Sequence, residues 1–416
     1  MKLNIYSSVL KAETNFRYMI FANCISRFGD SVDAIAYSWM VYQLTGSKAW
    51  LTVILGVNMI PTVLFQPFLG GFTEYCNKKK IIVMCDISRG CVVLATCMLL
   101  FLHVIRPWHL LVLTFINSSI EALRIPNGTA ILPQILKQEY YKTAISLDQG
   151  VRRTAELAGT GCAGIIVGCI GMEGALFVDV VTFLVSGLLL SFLKIEDRKE
   201  ENKIFQFHSY MESLKEGAVY FKKSNLAVMA CIICVMLNLC TLPIENLQAA
   251  YISEYLKLDV FAMSAGGTAV TAGMICGSLV LPIISQKILE KQLLVHGGIF
   301  IGIIYFIYIL LGIIPSTEGR YISYFIAAFF FGTVNSMIGV TVQIIFVSRT
   351  PKEFIGRISG IFNALACSSM PVGSFLLAGL SLILSIRELY LLMGFFSIIV
   401  FLLFGQSKEI MLLDRV

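Results

Sequence analysis

The sequence predicts an all-α integral membrane protein of about twelve transmembrane helices in two six-helix bundles. Three observations lead there. Of its 416 residues, 57% are hydrophobic and only 14% are charged, with a mean hydropathy of +0.81. A soluble domain averages about 45–50% apolar and about 25% charged, so this chain has too few charges to cover a surface in water. Apolar runs long enough to cross a bilayer, which takes about 20 residues, recur along its length. Finally, lysine and arginine alternate between the connections in the pattern that favours the cytoplasmic side.

The predicted spans are Phe16–Leu44, Trp50–Phe72, Ile81–Val104, Trp108–Ile125, Ala144–Ile170, Gly174–Leu193, Leu226–Ala249, Val260–Ile284, Leu293–Ile314, Tyr321–Ser348, Ile358–Leu384 and Leu389–Phe404. Prolines inside these runs (Pro61, Pro67, Pro243, Pro282, Pro371) are tolerated as kinks in a membrane bundle. With the N-terminus inside, the inner connections hold basic groups such as Lys78, Lys79 and Lys80, or Lys222 and Lys223. The outer ones hold only Lys48, Arg106, Lys257, Arg320 and Arg387. A wrong number of spans breaks that alternation, so both termini are expected in the cytoplasm of a cell (inner) membrane protein.

The longest polar stretch falls between the sixth and seventh spans. It divides the chain into an N-terminal bundle (1–194), a cytoplasmic linker (195–224) and a C-terminal bundle (225–416). In the linker Phe207, Tyr210, Met211, Leu214, Ala218 and Phe221 recur at helical spacing, which predicts an amphipathic helix on the inner leaflet. Short echoes between the halves, such as Gln138-Glu139-Tyr140 and Lys352-Glu353-Phe354, fit a parallel repeat.

Several classes are excluded. No Walker-type phosphate loop is present, so ATP is not the direct driver, and no Ser-His-Asp pattern can be placed, so no enzyme is expected. The histidines (His103, His109, His208, His296) lack metal spacing. Cys231 and Cys234 form a C-x-x-C without a second pair inside an apolar run, so neither metal nor cofactor is expected. The basic connections are explained by topology, and nucleic acid is not implied. No cleavable signal peptide is expected, because the first apolar run starts late and lacks a small-residue cleavage site.

Ionisable groups inside a span cost about 2.5–3.5 kcal/mol at the bilayer centre on insertion scales and usually face a cavity or a partner. The first span carries Arg27, Asp30, Asp33 and Tyr37. At about 100° per residue these fall on one face, and Asp30 lies about 20 Å beyond Arg17 at about 1.5 Å per residue. Spans three to five carry Asp86 and Arg89, Glu121 and Arg124, then Asp148, Arg152, Arg153 and Glu156. Spacings of three and four put acids beside bases. This near-balanced set is expected either to form a gate that opens and re-forms or to hold the helices statically.

The connection Gly70-Gly71-Phe72-Thr73-Glu74-Tyr75-Cys76-Asn77-Lys78-Lys79-Lys80 resembles the loop signature of the major facilitator superfamily: a glycine, an acid, then a basic cluster. It departs from that pattern at Glu74, Tyr75 and Asn77, where Asp, Arg and Gly are usual. Arg27-Phe28-Gly29-Asp30, Trp39 through Ser47, Asp86-Ile87-Ser88-Arg89, Leu132-Pro133-Gln134, Leu214-Lys215-Glu216-Gly217 and Gly356-Arg357 look like the branch holding macrolide efflux proteins and the enterobactin exporter. The glycine-rich antiport stretch of such exporters is only partial here, reading Gly159-Thr160-Gly161-Cys162-Ala163-Gly164.

The resemblance implies a secondary active transporter working by alternating access, as one chain, on a small-molecule substrate. It places the first span on a central cavity. There Asp30, and secondarily Asp33, with Arg27 beside them, is expected to bind a proton or contact a cationic substrate; the alternative is a permanent Arg27–Asp30 pair. Glu74 and Arg357 join the charge network. Tyr37, Asn117, Asn238, Glu245, Asn335 and Gln343 are the expected substrate contacts. The expected function is proton-driven export of a small amphipathic compound, drug, macrolide or siderophore-like. Proton-coupled uptake of a metabolite, a lipid flippase and a non-transporting sensor are the alternatives.

Overall fold

The computed structural model describes residues 13–72, 77–137, 140–194, 221, 225–286, 288–349 and 355–406. Glu74 and the linker helix, apart from Phe221, lie outside the described residues. The described residues form long helices: α1 (Thr14–Thr45), α2 (Lys48–Phe72), α3 (Lys78–Phe101) and α4 (Pro107–Ala130), then a continuous run Tyr141–Ser191. That run bends at Gly171, whose φ of +75° and ψ of −179° only glycine adopts readily. It therefore consists of α5 (141–170) and α6 (172–191). There follow α7 (Asn225–Asn246), α8 (Val260–Ile284), α9 (Glu290–Leu311), α10 (Thr317–Arg349), α11 (Ile355–Ile383) and α12 (Ile386–Gln406). Twelve long helices thus stand among the described residues.

Helix ends are set by capping chemistry as well as by hydropathy. Several helices begin about three residues before the apolar run, because polar residues form the first turn. Asn77 accepts from the Lys80 amide at 3.0 Å, and Asp259 accepts from Phe261 and Ala262. α3 stops at Phe101 and not at Val104, since His103 takes a left-handed φ of 55°. Pro126, Pro243, Pro282 and Pro371 lie inside helices. After Pro243 the chain continues past α7 as Gln248–Ala250 and a π turn, Tyr251–Tyr255.

The chain divides into two compact units. The first comprises Met1–Leu44 and Val57–Gln206, the second Thr45–Gly56 and Phe207–Val416. This differs from a division by chain order, because the start of α2 belongs with the second unit. There Lys48 donates to the Leu384 carbonyl at 3.1 Å, and Gly56 has no side chain to collide with Ser374.

In the first unit α3 packs on α4 and on α6. α1 lies against α5, where the Phe28 carbonyl would be 2.5 Å from a Cβ at Gly159. Small residues at such crossings let backbones approach. In the second unit α8 packs on α10, α9 on α12, and α7 on α10 and α11. Buried tyrosines fill its core: Tyr251, Tyr305, Tyr308 and Tyr390 are at most 1% exposed. Large apolar side chains such as Phe21, Met84, Leu279 and Ile383 face outward, as a lipid-facing surface requires.

Candidate functional site

The polar residues of α1 organise the first unit. Asn23 stands one turn before Arg27 and two turns before Asp30, so it belongs to the same stripe. A buried chain of hydrogen bonds runs through it across five helices. Ser186 of α6 donates to Asp86 of α3 at 2.6 Å. Asp86, fully buried, pairs with Arg124 of α4. Arg124 donates on to Asn23 at 3.3 Å, and Asn23 donates to Asp148 of α5 at 2.9 Å. Arg152 closes the chain on Asp148 at 2.7 Å.

Two further clusters flank this chain. Arg89 of α3 pairs with Asp30 at 3.0 Å and reaches Glu121 at 3.6 Å. It also donates to Asn117 at 3.2 Å and stacks on the Phe183 ring at 4.4 Å. Arg27 and Arg153 share one oxygen of Glu156, at 3.0 and 3.1 Å. The expected alternative of an Arg27–Asp30 pair is therefore not what forms. Although close in sequence, Arg27 turns to α5 and Asp30 to α3, because each finds a partner there at 3.0 Å.

Many of these groups line a cleft of about 270 Å³. Its walls include Asn23, Arg27, Asp30, Arg89, Glu121, Arg124, Gln149, Arg152, Arg153 and Glu156. The structure thus brings together most of the expected charge network, and each of these pairs joins residues of the first unit. Arg357 begins α11, and its side chain lies outside the described residues. Tyr37 sits two turns beyond Asp30, bonded to Thr114 at 2.6 Å and to the Leu110 carbonyl. Asn117 is engaged by Arg89.

In the second unit, Asn238 donates to the Ala366 carbonyl and to Ser369, tying α7 to α11. Glu245 is exposed and makes no ion pair among the described residues. Asn335 is half-buried and Gln343 exposed on α10. No group of three or more His, Cys, Asp or Glu among the described residues could hold a metal.

The sequence reading missed Asn23, Ser186 and Asp179 as members of this interior. Asn23 carries a legible signal, its helical spacing from Arg27 and Asp30. Ser186 carries none, since a serine in an apolar run reads as packing. Asp179 stands out as a lone acid in a span, with no sequence neighbour to explain it.

The sequence profile of the Major Facilitator Superfamily matches residues 19–374. The chain belongs to the major facilitator superfamily. It is 23% identical to the uncharacterized MFS-type transporter YvqJ of Bacillus subtilis, over 89% of this chain and 87% of that protein. To macrolide efflux protein A of Streptococcus pyogenes it is 19% identical, over 95% of this chain and 97% of that one. The crystal structure of the nucleoside transporter NupG superposes with a TM-score of 0.75, at 14% identity, over 95% of this chain and 100% of that one; this likeness bears on the fold alone. This major facilitator protein is therefore a multi-pass membrane transporter and not an enzyme, and its relatives include efflux proteins.

Proposed function

We propose that the protein exports a small amphipathic compound in exchange for protons, by alternating access, as a monomer in the cell membrane with both termini cytoplasmic. The observation that carries this reading is the cleft of the first unit. It places Asp30 of α1 beside arginines inside a membrane-spanning bundle, where charge is kept only at a cost of kcal/mol and marks ion pathways. Asp30, Asp33 and Arg27 on α1 are the coupling groups. The charge pairs of α3, α4 and α5 hold the helices that carry them.

The second unit supplies the substrate side. Within its apolar helices Glu245 is a carboxyl that no described cation neutralises, about two turns beyond Asn238 on α7. A carboxylate there suits a cationic or amine-bearing apolar solute, with Asn335 and Gln343 of α10 as further contacts; Tyr37 and Asn117 are the contacts proposed within the first unit. The likeness to macrolide efflux protein A supports outward transport.

Purified protein in liposomes with an imposed pH gradient and an internal pH dye tests this. Dyes, macrolides and siderophore-like compounds are added one at a time. A compound that collapses the gradient with wild type but not with the Asp30→Asn, Asp33→Asn double variant supports proton-coupled export. Compounds that cross without moving protons remove the coupling. Uptake that requires protons to enter with the compound reverses the direction and makes the protein a symporter.

A further inference from the structure

The arginines and acids inside the first unit do not balance. Arg27, Arg89, Arg124, Arg152 and Arg153 pair with Asp30, Asp86, Glu121, Asp148 and Glu156. Five cations therefore meet five acids, and two interior acids are left over among the described residues. They are Asp33 on α1 and Asp179 on α6.

Asp179 is held away from water, Asp33 is half-buried with one oxygen shut in, and the two carboxylates interact. Asp179 is 1% exposed. Its carboxylate accepts from the Thr182 hydroxyl at 3.1 Å. It also presses against α1, where its oxygen is 2.5 Å from the place a Cβ on Gly29 would take. Asp33 stands one helical turn beyond Gly29, on the same face. Its Oδ1 is buried and bonds to nothing. Asp179 lies in the repulsive field of Asp33, and Asp30 repels both. The other groups facing them are Arg89 from α3 and Tyr37 on α1. Arg89 is committed to Asp30 and Glu121, and Tyr37 to Thr114 and Leu110.

Two neighbouring carboxyls without a cation of their own cannot both stay ionised in such a place. We infer that Asp33 and Asp179 form a shared carboxyl pair holding one proton between α1 and α6, while Asp30 stays ionised on Arg89. Asp179 thereby joins the coupling machinery. The proton, and not a metal ion, is the ligand, since no set of three ligating side chains stands here. Releasing the proton leaves two like charges that push α1 and α6 apart, and taking it up lets them close. This deepens the export reading and rests on it for what the proton drives.

Infrared titration of the purified full-length protein in lipid nanodiscs tests it directly. The Glu245→Gln background removes the unpaired carboxyl of the second unit. At neutral pH a protonated carboxyl C=O band is expected. Asp33→Asn and Asp179→Asn should each abolish it, the double variant should remove nothing further, and Asp30→Asn should leave it in place. Each Asp→Asn change reads the same band from its own helix, so either one suffices if the other does not fold. A band that survives either substitution, or losses that add in the double variant, overturns the shared proton. The liposome assay keeps the two readings apart. If the band behaves as expected but no compound moves protons, the pair stands and the export reading falls. If flux stays proton-driven while the band survives Asp179→Asn, the export reading stands and the pair falls.

Discussion

At the residue scale, burial decides what each charge is for. Asp86 is fully buried against Arg124, so removing one partner strands the other in a dry interior. Breaking a buried pair costs about 3–5 kcal/mol. Asp86→Asn and Arg124→Gln are each expected to lower the melting temperature of the purified protein sharply. The double variant should recover part of the loss. If instead the two losses add, the residues are not a pair. Glu245 is the opposite case, an acid exposed on α7 with no cation to lose. Glu245→Gln should leave the melting temperature near wild type. On the export reading it should raise the KM for cationic compounds about tenfold or more and spare neutral ones; a tenfold change corresponds to about 1.4 kcal/mol. Equal effects on charged and neutral compounds would remove its role as a cation anchor.

At the element scale, backbone approach matters as much as side-chain chemistry. The α5–α6 bend depends on Gly171, whose backbone a side chain would strain by about 1–3 kcal/mol. Gly171→Ala should therefore reduce thermal stability without removing any contact. α1 meets α5 at Gly159 and α6 at Gly29. In both places a methyl group would collide with the facing helix, with the backbone of Phe28 at one and the side chains of Asp179 and Thr182 at the other. Gly159→Val is expected to lower the yield of monodisperse protein in fluorescence-detected size-exclusion chromatography. The effect should exceed that of the same change at Gly168, where nothing stands within 4 Å.

At the scale of the whole molecule, the distribution of charge separates the two units. The first carries a dense interior network, while the described interior of the second is aromatic and amide-rich, with Glu245 exposed on α7. That asymmetry fits a division between energy coupling and substrate contact. The positive-inside pattern makes an independent prediction about orientation. A fluorescent protein fused after Val416 should fluoresce, and a periplasmic alkaline phosphatase in the same place should be inactive. The reverse result would invert the topology and, with it, the direction assigned to transport.

The sequence by itself determined the helices. Span length, hydropathy and the alternation of lysine and arginine are local or additive properties, and the bilayer imposes its thickness on each segment separately. The predicted eighth span, Val260–Ile284, coincides with α8. Elsewhere the boundaries moved by a few residues, because caps such as Asn77 and a left-handed residue such as His103 set the ends. The charges of spans three to five were also legible as one paired set, since acids and bases at helical spacing share a face. Which acid meets which base was not legible. Arg27 is three residues from Asp30, yet its partner Glu156 lies on α5, and Asp30 finds Arg89 on α3. Pairing in a bundle depends on how neighbouring helices are turned and spaced, and helices far apart in sequence set that jointly. For the same reason, only the tertiary structure showed Asp179 against Gly29 and left Asp33 and Asp179, among the described interior acids of the first unit, without an ion pair.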